Sequence, residues 1–219
     1  MSEKALTPPG YIVIEGPIGV GKTSLVNRLS ESFGCESLLE GAEENPFLER
    51  FYTDGRAAAF PTQLFFLFQR SQQLQDLRQA DMFRSTLVAD FMLEKDRLFA
   101  QVNLDDAEMD LYEKVYGHLT MEAPVPDLVV YLQAPVEVLM KRIQKRARPQ
   151  ETQLDSDYLQ KLSDAYTEFF YRYDRSPLLI VNATEINPVD RDEDYQLLLE
   201  RICTVRSGKH YFNPAPLLV

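Results

Sequence analysis

The segment that most restricts the fold of this chain is Gly16-Pro-Ile-Gly-Val-Gly-Lys-Thr23, which fits the pattern G-x-x-x-x-G-K-[ST]. An apolar run typical of a strand, Tyr11–Glu15, precedes it, and helical periodicity follows from Lys22 to Phe33. Between a strand and a helix, such a loop surrounds phosphate groups with backbone N–H groups and the positive end of the helix dipole. At average composition the pattern arises by chance in roughly 1% of chains of this length, so an ordinary glycine turn is the weaker interpretation.

The motif also predicts which atoms bind a nucleoside triphosphate and its metal. We expect the Lys22 ammonium to reach the β- and γ-phosphates, and the Thr23 hydroxyl to bind Mg²⁺. The predicted ATP-binding residues are Gly16, Gly19, Val20, Gly21, Lys22, Thr23 and Ser24. The motif alone does not separate a kinase from an ATPase or a GTPase, although the sequence has no NKxD-type guanine-reading motif.

Short apolar runs alternate with longer helical segments along the whole chain, which predicts βαβ units around a parallel sheet. The predicted strands are Tyr11–Glu15, Glu36–Glu40, Ser85–Asp90, Pro126–Leu132 and Pro177–Val181. The predicted helices are Lys22–Phe33, Thr62–Ala80, Glu108–Glu122, Val136–Ala147, Asp155–Arg172 and Asp192–Val205. We therefore expect an α/β fold, a doubly wound five-stranded parallel sheet flanked by helices, as a single domain over 1–219. Residues 1–9 would form an N-terminal extension, and about 206–219 a tail outside the core.

Composition restricts the partners of this domain. The 34 acidic residues exceed the 23 Lys and Arg residues, for a net charge of −11, which disfavours binding to nucleic-acid polymers. Residues Met1 to Gly10 lack the basic and apolar regions typical of a signal peptide, and no apolar run approaches the roughly 18 residues of a membrane span. Cys35 and Cys203 have no metal-ligand or CxxC spacing. These features predict a cytoplasmic protein with a small-molecule partner, without membrane or nucleic-acid binding.

Two acidic residues follow predicted strands: Glu40 ends the second and Asp90 ends the third. In doubly wound sheets, ligands bind beyond the carboxyl ends of the strands, where the glycine-rich loop also lies. One carboxylate can accept a proton from an attacking hydroxyl while another holds Mg²⁺. A strand-terminal acid alone is often only a solvated loop residue. Their convergence with the loop predicts that one of them is a catalytic base and that the other holds Mg²⁺ beside Thr23.

A concentrated basic run interrupts the acidic chain, with five cations in the eight residues from Lys141 to Arg148. Phosphoryl transfer needs cations around the charge that develops on the transferring group. We therefore predict an Arg-rich lid over about 141–152, with a solvated basic helix face as the alternative. The predicted catalytic residues on the phosphate side are Lys22, Arg142, Arg146 and Arg148.

From about Tyr11 to Val205, these residues in this order resemble the deoxyribonucleoside kinase family, in particular its bacterial deoxyadenosine/deoxyguanosine kinase-like branch within the P-loop kinase superfamily. The segment from Glu40 to Tyr52 is similar to the family's E-P-V-x-x-N-P-[FY]-L-x-x-F-Y sequence. The resemblance implies that Glu40 is the general base on the substrate 5′-hydroxyl. The substrate-binding residues that it implies are Glu40, Tyr52, Gln63, Asp90, Phe99 and Glu151.

The roles within that set also come from the resemblance. Tyr52 would contact the sugar 3′-hydroxyl, Gln63 would pair with the nucleobase edge, and Phe99 would stack on the base. Glu151 would close on the sugar. An amide offers both a donor and an acceptor, so Gln63 can read a base edge through two hydrogen bonds. Without the resemblance, Gln63, Tyr52 and Phe99 would be interpreted as ordinary helix or core residues.

The sequence departs from the family in one place that matters. The family carries an acid-Arg-Ser triplet after the third strand, and this chain has Asp90-Phe91-Met92 there. The resemblance implies that Asp90 takes the place of the acid near Mg²⁺, but the expected arginine is absent. Lys95 and Arg97 are the candidates to supply its charge, although a lysine does not reproduce the fork of an arginine.

The resemblance implies a homodimeric deoxyribonucleoside 5′-kinase that transfers the γ-phosphate of ATP with Mg²⁺. Purine deoxynucleosides are the favoured acceptors, and deoxycytidine is possible. Two alternatives stay open at this point. One is a nucleoside monophosphate kinase similar to thymidylate kinase, and the other is a kinase-fold subunit that binds nucleotide without catalysis.

Overall fold

Six parallel strands form the central sheet of the computed structural model, which describes residues 7–79, 86–119, 123–148, 151, 153–184, 186, 188 and 191–213. The strands are β1 (Tyr11–Glu15), β2 (Glu36–Leu38), β3 (Leu87–Ala89), β4 (Leu128–Gln133), β5 (Leu178–Asn182) and β6 (Lys209–Phe212). Their order is β2-β3-β1-β4-β5-β6. Residues Ala80 and Ser85, the helix end over 120–122, and parts of the extension, lid and tail lie outside the described residues.

The five predicted strands are confirmed, but the sheet has a sixth strand, so the predicted strand number was wrong. β6 lies in the segment that was predicted to be a tail outside the core, and it pairs in parallel with β5. Its sequence, Lys-His-Tyr-Phe, carries little apolar signal because it is a short edge strand. Only its last residue, Phe212, packs against the main hydrophobic cluster.

Eight α-helices surround the sheet within the described residues. They are α1 (Lys22–Phe33), α2 (Leu48–Asp54), α3 (Ala59–Gln79), α4 (Glu94–Asn103), α5 (Asp106–Leu119), α6 (Val136–Arg146), α7 (Ser156–Arg172) and α8 (Asp192–Thr204). The six predicted helices are confirmed to within a few residues at each end. The prediction missed α2, which is short, and α4, whose buried Lys95 and Asp96 interrupt the apolar periodicity.

Both faces of the sheet are covered. Ile12 and Ile14 of β1 belong to one hydrophobic cluster, with side chains of α1 and α8, while Val13 belongs to another with side chains of α7. This division follows from the alternation of side chains along a strand. Burial on both faces is typical of a parallel sheet whose crossover helices lie on either side. No helix in the described ranges is long and apolar enough to cross a membrane.

The strand order determines where a ligand can bind. β1 lies between β3 and β4, so the chain continues to one side of β1 through β2 and β3 and to the other side from β4 onward. The crevice at the carboxyl end of β1 is therefore the topological switch point of the sheet. The loop after β1, the loop after β2 and Asp90 after β3 all lie at this edge.

Candidate active site

The loop after β1 has the backbone that phosphate binding requires. Gly16, Gly19 and Gly21 have φ angles of 147°, 84° and 106°. Residues that carry a Cβ atom rarely adopt these backbone conformations. A Cβ at Gly19 would lie 2.7 Å from Cγ1 of Ile143, so this glycine lets α6 pack directly on the loop. The loop therefore depends on glycine for both its conformation and its close approach to α6.

Lys22 begins α1 and turns back over the loop. Its Nζ donates to the carbonyl oxygens of Gly16 at 2.7 Å and Pro17 at 3.3 Å. Burial, and then the neighbouring Lys95, lower the pKa of Lys22 to about 7. A bound polyanion favours the charged form of this lysine, so the environment fits a triphosphate.

Asp90, which follows β3, connects the phosphate loop to the loop after β2. Its Oδ2 accepts a hydrogen bond from the Thr23 hydroxyl at 2.7 Å, and its Oδ1 accepts one from the backbone N–H of Glu40, also at 2.7 Å. The described residues contain no group of three or more His, Cys, Asp or Glu side chains that could hold a metal. One hydroxyl and one carboxylate fit Mg²⁺ that arrives with the phosphates of its substrate, because Mg²⁺ keeps several waters and uses few protein ligands.

Glu40 lies between two cations from different helices. Arg70 of α3 forms an ion pair with Oε1, and Nζ of Lys95 in α4 lies 2.7 Å from Oε2. Arg70 also pairs with Asp96 of α4. Of the two candidates for the charge of the missing arginine, Lys95 reaches this site. Arg97 is exposed and pairs with Glu113 at 2.5 Å instead.

These groups line one cavity of about 350 Å³. It brings together most of the residues that the sequence predicts for catalysis and substrate binding. Those that line it are Gly19, Lys22, Thr23, Glu40, Tyr52, Gln63, Asp90, Phe99, Arg146, Arg148 and Glu151. The other predicted loop residues, Gly16, Val20, Gly21 and Ser24, belong to the phosphate loop and α1 without lining it.

The three predicted lid arginines have different neighbours. Arg146 pairs with Glu151, with Nη2 to Oε2 at 2.5 Å, and Arg148 lies 3.7 Å from Glu43. Arg142 does not line the cavity. It donates to the carbonyl oxygens of Ala183 at 2.7 Å and Val20 at 3.3 Å. Arg142 thus ties α6 to the phosphate loop and the end of β5, and its catalytic role stays a prediction.

The sequence analysis missed Arg70, which lines the cavity, and Asp96, which pairs with Arg70. Gln63 lines the same cavity, and all three residues are buried, with exposed fractions of 2% for Gln63, 3% for Arg70 and 0% for Asp96. In the described part of the chain, Gln63 Oε1, Arg70 Nε and Asp96 Oδ2 lack hydrogen-bond partners. Burial raises the pKa of Asp96 to about 6 against the opposing effect of Arg70. One available signal was the spacing of Gln63 and Arg70, seven residues or about two turns along one helix face.

A parallel doubly wound sheet with a glycine-rich phosphate loop at its switch point defines a P-loop nucleotide-binding protein. Comparison with known families is more specific, because residues 12–205 match the family model described as "Deoxynucleoside kinase". The match spans most of the chain. This chain therefore belongs to the deoxynucleoside kinase family.

Individual relatives agree with this assignment. A deoxyguanosine kinase from Bacillus subtilis is 36% identical over 157 residues, which cover 71% of this chain and 76% of the relative. A deoxyguanosine kinase from Lactobacillus acidophilus is 32% identical over 205 residues, or 87% and 88% of the two chains. Among solved structures, deoxyadenosine kinase from M. mycoides with bound dATP has a TM-score of 0.77 and 28% identity, covering 88% of this chain and 98% of that one.

Proposed function

We propose that this protein is a deoxynucleoside kinase that transfers the γ-phosphate of ATP to the 5′-hydroxyl of a deoxynucleoside, with purine deoxynucleosides preferred. The observation that carries the proposal is the double use of Asp90. One of its oxygens binds Thr23 of the phosphate loop, and the other binds the backbone of Glu40. The phosphate-binding and proton-accepting groups are thereby held in one arrangement, as transfer to a hydroxyl requires.

In this reaction Glu40 accepts the proton of the 5′-hydroxyl while that oxygen forms a bond to the γ-phosphorus. The bond between the γ-phosphorus and the oxygen that bridges it to the β-phosphorus breaks, and ADP leaves. Lys22, Arg146 and Arg148 supply positive charge to the transferring group. Mg²⁺, which Thr23 and Asp90 would hold, supplies further neutralisation of phosphate charge. Arg146 must exchange its pairing with Glu151 for the phosphates.

Gln63 and Arg70 are suited to bind a nucleobase edge, because both line the cavity. Among the described residues, Oε1 of Gln63 is an acceptor and Nε of Arg70 a donor without a hydrogen-bond partner. A base that offers both donors and acceptors would satisfy them, and leaving such groups unsatisfied costs about 1–3 kcal/mol each. The deoxyguanosine and deoxyadenosine kinases among the relatives support a purine. Phe99 would stack on that base, while Tyr52 and Glu151 would bind the sugar.

We also propose that the protein acts as a cytoplasmic homodimer. Phe68 of α3 is 53% exposed and next to the fully buried Leu67, so α3 presents an apolar side chain on its outer face. Light scattering after size exclusion would measure the mass in solution. A mass of two chains is expected, and a mass of one chain would contradict the proposal.

The decisive experiment is an ADP-release assay with ATP·Mg²⁺ and each of deoxyguanosine, deoxyadenosine, deoxycytidine and thymidine, with the four monophosphates alongside. We expect turnover with deoxyguanosine or deoxyadenosine and none with monophosphates. Activity only on a monophosphate would establish a nucleoside monophosphate kinase instead. ATP binding without turnover on any acceptor would identify a nucleotide-binding subunit.

A further inference from the structure

Lys95 is a buried cation with fewer hydrogen bonds than it can make. Its side chain is 3% exposed, and the one acceptor that the described part of the chain offers it is Oε2 of Glu40, at 2.7 Å. An ammonium group has three N–H donors. Lys95 lines the cavity, so its remaining N–H donors can bind a ligand that enters there.

The two cations at Glu40 are not equivalent. Arg70 pairs with the carboxylates of both Glu40 and Asp96, and its planar guanidinium is held from two sides. Lys95 has a single carboxylate partner and a flexible four-carbon stem. When a substrate hydroxyl must approach Glu40, Lys95 is therefore the partner that can move away.

The surroundings of Lys95 also face the phosphate loop. It lines the same cavity as Lys22 and Thr23, and its charge acts on Lys22 strongly enough to lower the pKa of that lysine. Burial, and then Arg70, lower the pKa of Lys95 itself. Two ammonium groups in one cavity repel each other, and an anion between them would offset this repulsion.

We propose that Lys95 has two successive partners: it holds Oε2 of Glu40 in the free enzyme, and it binds an oxygen of the transferring phosphoryl group once the acceptor hydroxyl occupies its place at Glu40. Lys95 neither gives nor takes a proton in this step. The proton passes from the hydroxyl to Glu40, and the ammonium stays charged throughout. The inference rests on the proposed kinase reaction and adds a group on the acceptor side that stabilises the transferring charge.

Replacement of Lys95 by Met tests this role, because Met keeps an unbranched stem and removes the charge. We expect kcat to fall about 10²–10³-fold, the loss typical of one donor to a developing anion. KM for the deoxynucleoside and Kd for ATP should change less than about threefold, since an interaction made in the transition state lowers kcat and kcat/KM together. Arg97→Met, on the same helix but exposed and paired with Glu113, is the matched control and should retain wild-type turnover.

Two further variants, Lys95→Arg and Lys95→Ala, separate a role of the charge in turnover from a purely structural role of the side chain. The arginine variant keeps the charge and should exceed the methionine variant in kcat by at least about tenfold. The alanine variant should regain turnover when propylamine is added, whereas Arg97→Ala should not respond to the amine. Thermal unfolding of each variant shows whether it is folded. If Lys95→Met does not fold, the comparison of Lys95→Arg with the wild type tests the inference instead.

The outcomes separate the two proposals. An active wild type with kcat of Lys95→Met within about threefold of it would overturn this inference alone. The inference would also be overturned if kcat of Lys95→Arg did not exceed that of Lys95→Met and propylamine did not restore turnover of Lys95→Ala. A wild type that phosphorylates no deoxynucleoside would overturn the proposed function and this inference with it.

Discussion

The two halves of the cavity are built in different ways. In the phosphate half, Lys22 bonds to the carbonyl oxygens of Gly16 and Pro17, six and five residues before it. In the acceptor half, Glu40 meets Lys95, which is 55 residues further along the chain, and Arg70 from another helix. One half is a local backbone conformation, and the other exists only when α3, α4 and the loop after β2 are packed together.

The two halves should therefore be sensitive to different kinds of substitution. A local loop is specified by glycine conformations and a helix N-terminus, so it depends little on distant packing. Buried ion pairs across helices depend on the whole arrangement, because a partner removed from such a pair leaves an unpaired buried charge. We therefore expect changes in the phosphate half to affect ATP binding and changes in the acceptor half to affect turnover or stability.

The largest effect is expected at Glu40, the proposed general base in the acceptor half. Glu40→Gln should lower kcat by roughly 10²–10⁴-fold, the range for lost general-base catalysis, while Kd for ATP stays nearly unchanged. Steady-state kinetics and calorimetric titration of ATP measure the two quantities. Glu43→Gln is the control, because Glu43 also lines the cavity but its side chain is 65% exposed. Unchanged turnover in Glu40→Gln would move the base to Glu43 or Glu44.

The next largest effect is expected at Lys22, in the phosphate half of the cavity. Lys22→Met is expected to lower kcat by about 10²–10³-fold and also to weaken ATP binding, because it removes a charge that contacts phosphate in both the ground state and the transition state. Lys145→Met, at an exposed position of α6, should leave both quantities unchanged. If Lys22→Met and Glu40→Gln changed the Kd for ATP equally, the two halves would not be functionally distinct.

The buried carboxylate of Asp96 should make the stability of the acceptor half depend on pH. Its pKa is raised from 3.8 to about 6 by burial, so the folded protein binds more protons than the unfolded chain between these values. The free energy of unfolding therefore falls as pH rises through that window, by up to about 3 kcal/mol from this group. Urea unfolding across the window measures it.

Asp96→Asn should remove that part of the pH dependence, seen as the difference between the variant and the wild type. Asp105→Asn is the matched control, because hydrogen bonding from the backbone of Glu108 lowers the pKa of this exposed carboxyl. Asp105 stabilises the fold above its ordinary pKa, and this contribution is lost as pH falls. Parallel profiles of the wild type and Asp96→Asn would show that burial does not raise the pKa of Asp96 in the folded protein.

The smallest effect is expected from the loop backbone. Gly19→Ala should lower the free energy of unfolding by about 1–3 kcal/mol, because φ is 84° and the new Cβ would lie 2.7 Å from Ile143. Gly117→Ala in α5 is the control. It meets no atom within 4 Å and should raise stability by about 0.5–1 kcal/mol. Equal effects of the two changes in urea unfolding would argue that the loop does not require glycine at this position.

What the sequence by itself determined was the local part of this protein. The phosphate loop, the four predicted strands with a strong apolar pattern and the six helices with clear periodicity follow from interactions within a few residues. The fifth predicted strand, β2, has the sequence Glu-Ser-Leu and a weaker pattern. Glu40 and Asp90 could be placed at one edge because parallel strands end at a common edge of the sheet.

Only the tertiary structure decided the rest. β6 was missed because an edge strand buries little and needs little apolar sequence. Arg70 and Asp96 were missed, and Lys95 could not be separated from Arg97, because a charged residue in a helix has the same local pattern whether it faces solvent or a buried partner. Arg142 was grouped with Arg146 by spacing, yet it binds carbonyl oxygens of Val20 and Ala183. Pairing between distant segments depends on how the helices pack, and that packing is a property of the whole chain.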